Sequence, residues 1–373
     1  MNPQPTFCPN NDCPSRGIQA QGNIKVHDSL RNRWKCTTCN KTFSGRNGTP
    51  FHHLKHNEKT VVLVLTLLAY GCPPQAVVAA FSLDERTVAS WQHKAGQHCQ
   101  AVHEALVEQP RETTLVQTDE LRIRCQRRLV LWLAMAICST TRLWLGGVVS
   151  PKRDKHLARK IAQKVKSCCH LGSVLVITDG WTAYREAFLR AFRSPLRLGK
   201  RGAPRLIAWS GFVLAQTVKW TEAGRVLGIR ICHLSGNRKT VGVLLPSGQV
   251  LSTAYIERLN ATFRQRMSCL CRRSRCLVRT ESHLRAGMYL VGSVYNFCTP
   301  HKSLRLEKRS GNSRFVLRSP AMAGGLTERI WTVGELLCYH IAPPPYVAPK
   351  RRGRPKGKKP PQEAQGENKV ITV

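Results

Sequence analysis

Apolar residues recur along this chain in two rhythms. From Glu58 the steps are helical: Val61, Val62, Leu65 and Leu68 return every three or four residues until Gly71 stops the run. Pro73 and Pro74 then open a short second helix through Phe81, and Asp84 stands where it can cap a third that carries Val88 and Trp91 towards His98. Two short helices and a third in this order predict a helix-turn-helix whose last helix, with Trp91, enters the major groove of DNA. A plain three-helix packing unit has the same pattern.

Beyond residue 112 the rhythm becomes strand-like. Residues 114–119 read as a short strand delivering Asp119 near its end, and residues 129–138 and 143–149 as two further β-rich runs. A basic helical stretch, 155–166, leads to a buried strand, 174–179, that ends in Asp179. Three strands, a helix and a fourth strand, with acids on the first and fourth, give an α/β class and the order of the RNase H-like fold. Residues 212–219 and 225–233 read as a β-hairpin inside an insertion of about 193–250. The expected organisation is a zinc ribbon (1–50), an all-α helix-turn-helix (51–112), the catalytic core (113–300), an extension and linker (301–349) and a basic tail (350–373).

The third acid comes from a helix. In the stretch from Thr253 to Arg264, Tyr255, Leu259 and Phe263 form an apolar stripe, while Glu257, Asn260 and Arg264 lie on another face. Only six aspartates occur in the chain, so their positions at strand ends are informative. Asp119 has a bland reading as a turn former, and neighbouring Glu120 competes with it as the ligand; Asp179-Gly180 is also an ordinary turn dipeptide. Three carboxylates meeting at one point repel unless divalent cations bind between them, and Mg²⁺ or Mn²⁺ suits such oxygen ligands. Two such ions would serve an in-line displacement at phosphorus.

Charge and cysteine content narrow the partners. Lys and Arg outnumber Asp and Glu by 59 to 21, a formal net charge of +38, which calls for a polyanion such as double-stranded DNA. The first residues carry no basic start followed by an apolar run, and the longest apolar stretches fall short of the roughly 20 residues that span a bilayer, so a cytoplasmic, nucleoid-associated protein without membrane contact is expected. Sixteen cysteines in that setting mean free thiols or metal ligands. Cys8 and Cys13, then Cys36 and Cys39 between Trp34 and Phe43, make two knuckles that can surround one structural Zn²⁺, with Asp12 or His27 as rival ligands. Cys269, Cys271 and Cys276 read instead as small thiols on a continuing Arg-rich helical segment.

Thr-Ala-Tyr-Ile-Glu-Arg-Leu-Asn-Ala-Thr-Phe-Arg-Gln-Arg from Thr253, followed by Tyr-Asn-Phe-Cys-Thr-Pro-His-Lys-Ser-Leu from Tyr295, resembles bacterial insertion-sequence transposases of the DDE type. The resemblance runs from the knuckles to about Leu337 and implies metal-binding catalytic roles for Asp119, Asp179 and Glu257. It also implies a transposon-end contact for Arg264, seven positions after Glu257, with Arg258 and Asn260 beside it, and it gives His301 no assigned role. The tail from Lys350 contains Arg352-Gly353-Arg354-Pro355, which resembles the AT-hook; laid along the minor groove of A·T-rich DNA, such a segment is disordered without it. The expected activity is therefore that of a transposase, a homo-oligomer on DNA. A DNA-binding regulator with an inactive core and a nuclease of the same fold are its rivals.

Overall fold

A computed structural model describes residues 6–126, 129–197, 199, 202–223, 225–245, 251–272, 276–307 and 314–348. The front is a three-stranded antiparallel sheet, β1 (Ile24–Asp28), β2 (Arg33–Cys36) and β3 (Thr42–Ser44). Three helices follow: α1 (Glu58–Ala69), α2 (Pro74–Phe81) and α3 (Glu85–Leu106). Asn57 caps α1, accepting from the amide of Lys59, and Asp84 caps α3, accepting from the amides of Arg86 and Thr87.

The middle of the chain builds a mixed six-stranded sheet. Its strands are β4 (Leu115–Arg124), β5 (Val130–Cys138), β6 (Trp144–Ser150), then, after α4 (Lys155–Ser167), β7 (Val174–Asp179). After α5 (Thr182–Ala191) and a small ladder of β8 (Arg193–Leu196) with β9 (Arg205–Ala208) come β10 (Phe212–Glu222) and β11 (Arg225–Ser235). The order across the sheet is β11-β10-β7-β4-β5-β6, with β4 parallel to β7, β7 parallel to β10, and the other pairs antiparallel.

β10 corrects the expected insertion. It belongs to the sheet, pairing with β7 from Phe212 to Thr217. Its side chains alternate between two cores: Phe212 and Leu214 join the main one, while Val213 and Ala215 join Leu115, Leu175 and Ile177 beneath α6 (Arg238–Leu244). A strand buried on both faces is central rather than appended.

Two long elements finish the architecture: α7 (Ala254–Arg266) and α8 (Glu281–Cys298). α8 is buried on nearly every side and packs closely on α3; a Cβ on Gly96 would collide with the Ala286 backbone. The chain then forms a hairpin of β12 (His301–Glu307) and β13 (Phe315–Arg318), a short α9 (Pro320–Ala323) and α10 (Val333–Leu337). α10 returns to the front: the Leu336 carbonyl lies 3.2 Å from His98 Nε2, and His340 Nε2 lies 2.9 Å from the Gly45 carbonyl. One apolar cluster joins α1 to α3, the sheet, α7, α8 and α10. Among the described residues no helix is long and apolar enough to cross a membrane.

Candidate metal centres and acidic pocket

The parallel strands β4 and β7 set two acids side by side. Asp119 does not end its strand, as expected, but lies within it, because antiparallel pairing with β5 carries β4 on to Arg124. Asp179 closes β7, and its Oδ1 accepts from the Trp181 amide at 3.1 Å in a turn that starts α5. The third acid, Glu257, sits in the first turn of α7, where its carboxylate accepts from the Thr253 hydroxyl at 3.2 Å. Ile256, Leu259 and Phe263 bury the other side of that helix; Tyr255 is half-buried under the Arg142 guanidinium, 3.5 Å from the ring centre.

These acids line one cavity of about 730 Å³, with Arg153, Trp181, Thr217, Val218, Asn260, Arg264 and Arg272. Asp119, Glu120 and Asp179 each offer a ligand atom within 4.8 Å of the others, so this acidic group could hold a metal ion. Burial, helped by the charges of Asp179 and Glu257, pushes the Asp119 carboxyl up to about 6. Burial and Asp179 likewise raise Glu120, whose carboxylate accepts from the Tyr184 hydroxyl at 2.8 Å and from Arg153 Nε at 2.6 Å. An anionic cluster that holds protons this tightly is one that a divalent cation relieves, so the residues fit Mg²⁺ or Mn²⁺.

The register between strand and helix is fixed by one buried side chain. Gln117, two residues before Asp119, donates to the Ser252 carbonyl at 2.7 Å and accepts from the amides of Tyr255 and Ile256 at 3.0 and 2.9 Å. It thereby supplies the cap that Thr253 does not.

Two of the expected DNA contacts have other positions. Asn260 is 2% exposed, and its Nδ2 donates to Asp119 Oδ2 at 2.7 Å, so it orients an acid. Trp91 is 3% exposed, packed edge-on against His56 at 5.0 Å, and cannot reach a groove. Its heptad neighbours Val88 and Ala95 are buried with it, whereas Arg86, Ser90, Lys94 and Gln97 form the exposed stripe of α3. Arg258 is exposed, and Arg264 is half-buried at the cavity wall. Arg352, Gly353, Arg354 and Pro355 lie outside the described residues.

The four cysteines of the front converge. Cys8 and Cys39 sulfurs are 3.7 Å apart, Cys13 and Cys36 sulfurs 3.9 Å, and all four lie within 4.8 Å of one another. A tetrahedral Zn²⁺ about 2.3 Å from each sulfur spaces them about 3.8 Å apart, so the set fits that ion. Asn23 Nδ2 donates to Cys36 Sγ at 3.6 Å, and Asp12, the rival ligand, faces Lys41 at 3.7 Å. Cys269 and Cys271 do not continue a helix: α7 ends at Arg266 and a single 3₁₀ turn follows.

No protein-family model matches the sequence, and no curated protein matches it. Among solved structures the chain is similar to piggyBac transposase in a cryo-EM synaptic complex with hairpin DNA, at 10% identity and a TM-score of 0.34, over 78% of this chain and 71% of that one. So weak a likeness leaves the reading to the geometry of the sites.

Sequence reasoning missed Gln117, Arg153 and Tyr184. Gln117 had a signal, a polar residue in an apolar strand that must find partners when buried. Arg153 and Tyr184 had none, since each reaches Glu120 only through the fold.

Proposed function

We propose that this protein is a DNA transposase of the DDE type with an RNase H-like core. The observation that carries the reading is the convergence of Asp119, Asp179 and Glu257, from two parallel strands and a helix, in one cavity of a chain with net charge +38. The strand order, with β5 reversed beside β4 and β7 on its other side, supports the core assignment.

In this reading Asp119, Asp179 and Glu257 hold two Mg²⁺ or Mn²⁺ ions, which when bound activate water or a 3′ hydroxyl and stabilise the leaving oxygen. Asn260 fixes the Asp119 carboxylate, Gln117 fixes α7 against β4, and Arg264 holds the end of the element by its backbone phosphates. Cys8, Cys13, Cys36 and Cys39 hold Zn²⁺, which takes the place of a core in a segment too small to build one. The exposed stripe of α3, Arg258 and the Arg352–Pro355 tail supply further DNA contacts, and pairing of two ends makes the working form a homo-oligomer.

The test is incubation of the zinc-loaded protein with DNA carrying the gene's own flanks, in Mg²⁺ or Mn²⁺, beside Asp179→Asn. Nicks and joints from the wild type, with binding alone from the variant, support the transposase. Nicks without joints favour a nuclease, and binding without cleavage by either form favours a regulator.

A further inference from the structure

Arg153 lies in the loop between β6 and α4, and its guanidinium is held on several sides. Nε donates to Glu120 Oε1 at 2.6 Å, and Nη2 donates to the same oxygen. Its Cζ lies over the Trp181 ring, 4.6 Å from the centre, and over that of Trp132 at 5.4 Å. Nη2 stands 3.9 Å from Asp179 Oδ2, and the side chain is 36% exposed where it lines the acidic cavity. Glu120, by contrast, is 3% exposed and is held from its other oxygen by Tyr184.

As a purely stabilising feature this arrangement is costly. It buries the Glu120 carboxylate beside two others, and a carboxylate taken out of water is costly even when it is paired. A different role accounts for the whole set. Glu120 and the two indoles hold the guanidinium, and among the described residues no hydrogen bond from Nη1 competes with a ligand in the cavity. Donors fixed in advance bind an anion without reorganising.

We propose that Arg153, clamped by Glu120, is a phosphate-binding residue of the acidic pocket that takes a non-bridging oxygen of a nucleic-acid phosphodiester lying across Asp119 and Asp179. Glu120 is then the positioning residue of the clamp rather than a metal ligand, and Tyr184 holds Glu120. The inference rests on the reading of the pocket as a nucleic-acid site. It does not require the strand to be cut.

The experiment is a charge-interference map. Full-length, zinc-loaded protein is bound to a duplex of the gene's flanks in Ca²⁺, a hard cation that neutralises the carboxylates, and single methylphosphonates, which remove one negative charge, are placed at each position in turn. For the wild type, one or two adjacent positions should weaken binding about tenfold, the loss expected when a charged hydrogen bond is removed. Arg153→Gln should show no loss at those positions while keeping the rest of the map, and Arg153→Lys, which keeps the charge but not the planar fork, should show a reduced one. Glu120→Gln, which leaves Arg153 in place but unclamped, should blunt the same positions and covers the case in which Arg153→Gln misfolds. A map that Arg153→Gln leaves unchanged, or one with no position dependent on it, overturns the proposal. Nicking of the same duplex in Mg²⁺ is scored separately. An Arg153-dependent map without nicking refutes the transposase and leaves the phosphate site; nicking with an unchanged map does the reverse.

Discussion

Replacing Gln117 with Leu tests how the acidic pocket is assembled. The change nearly conserves volume but removes three hydrogen bonds, to the Ser252 carbonyl and from the Tyr255 and Ile256 amides. Losing a helix N-cap costs about 1 kcal/mol, and a half-buried carbonyl left without its donor costs about 1–3 kcal/mol more. A loss of about 2–4 kcal/mol is therefore expected, read as a lower urea midpoint followed by tryptophan fluorescence. The chemical consequence should exceed the thermodynamic one. Glu257 occupies the first turn of α7, the turn that Gln117 tethers, so its carboxylate loses its register against Asp119. A displacement of about 1 Å costs about a hundredfold in rate, so DNA cleavage in Mg²⁺ should fall by that order while DNA binding stays within about twofold. A Gln117→Leu protein as stable as the wild type to within about 0.5 kcal/mol and fully active would refute the argument that this side chain sets the strand-to-helix register.

Burial, with the charges of Asp179 and Glu257, pushes the Asp119 carboxyl from an ordinary 3.8 up to about 6, so the folded protein binds its proton more tightly than the unfolded chain. In the absence of divalent ions the Asp119 contribution to stability should be fully present below the lower value and be lost as pH rises through about 6; the difference between urea titrations of the wild type and Asp119→Asn should show that slope between about pH 4 and 6. Trp91→Ala should destabilise the protein by about 3–5 kcal/mol through a core cavity. Arg86→Ala with Lys94→Ala should leave stability unchanged but weaken DNA binding and flatten its salt dependence, and the opposite pattern would return Trp91 to the DNA face. If the four front cysteines hold zinc as proposed, Cys36→Ser should abolish its binding, measured by atomic absorption, and make the first 50 residues protease-sensitive while the sheet stays folded.

Local pattern carried much of this structure and failed where partners are distant. Asp84, Pro74 and the helical steps from Val61 place α1 to α3 because capping and 3.6-residue periodicity are local physics. The α7 face bearing Glu257, Asn260 and Arg264 was legible for the same reason. Its chemistry was only half legible, since Asn260 looks like any polar helix residue until β4 brings Asp119 to it. β10 and β11 read as a hairpin because their turn is local; the parallel pairing of β10 with β7 joins residues about 38 apart and leaves no mark in either segment. Trp91 shows the opposite error, a large aromatic assigned to recognition when the phase it shares with Val88 and Ala95 already pointed inward.

The turn after α1 bears on how such a protein can change. Gly71 adopts φ +96° and fits against the last turn of α7; a Cβ there would meet the Gln265 carbonyl oxygen at 2.8 Å. Arg266 of the same turn stacks over Tyr70 at 4.6 Å. The helix that carries Glu257 at one end is thus seated at its other end on the front helices. Those helices are not a detachable cassette. A graft of another helical unit in front of this sheet would have to reproduce the Tyr70-Gly71 turn, or the acidic pocket would inherit the misfit, so the two ends of α7 are constrained to diverge together.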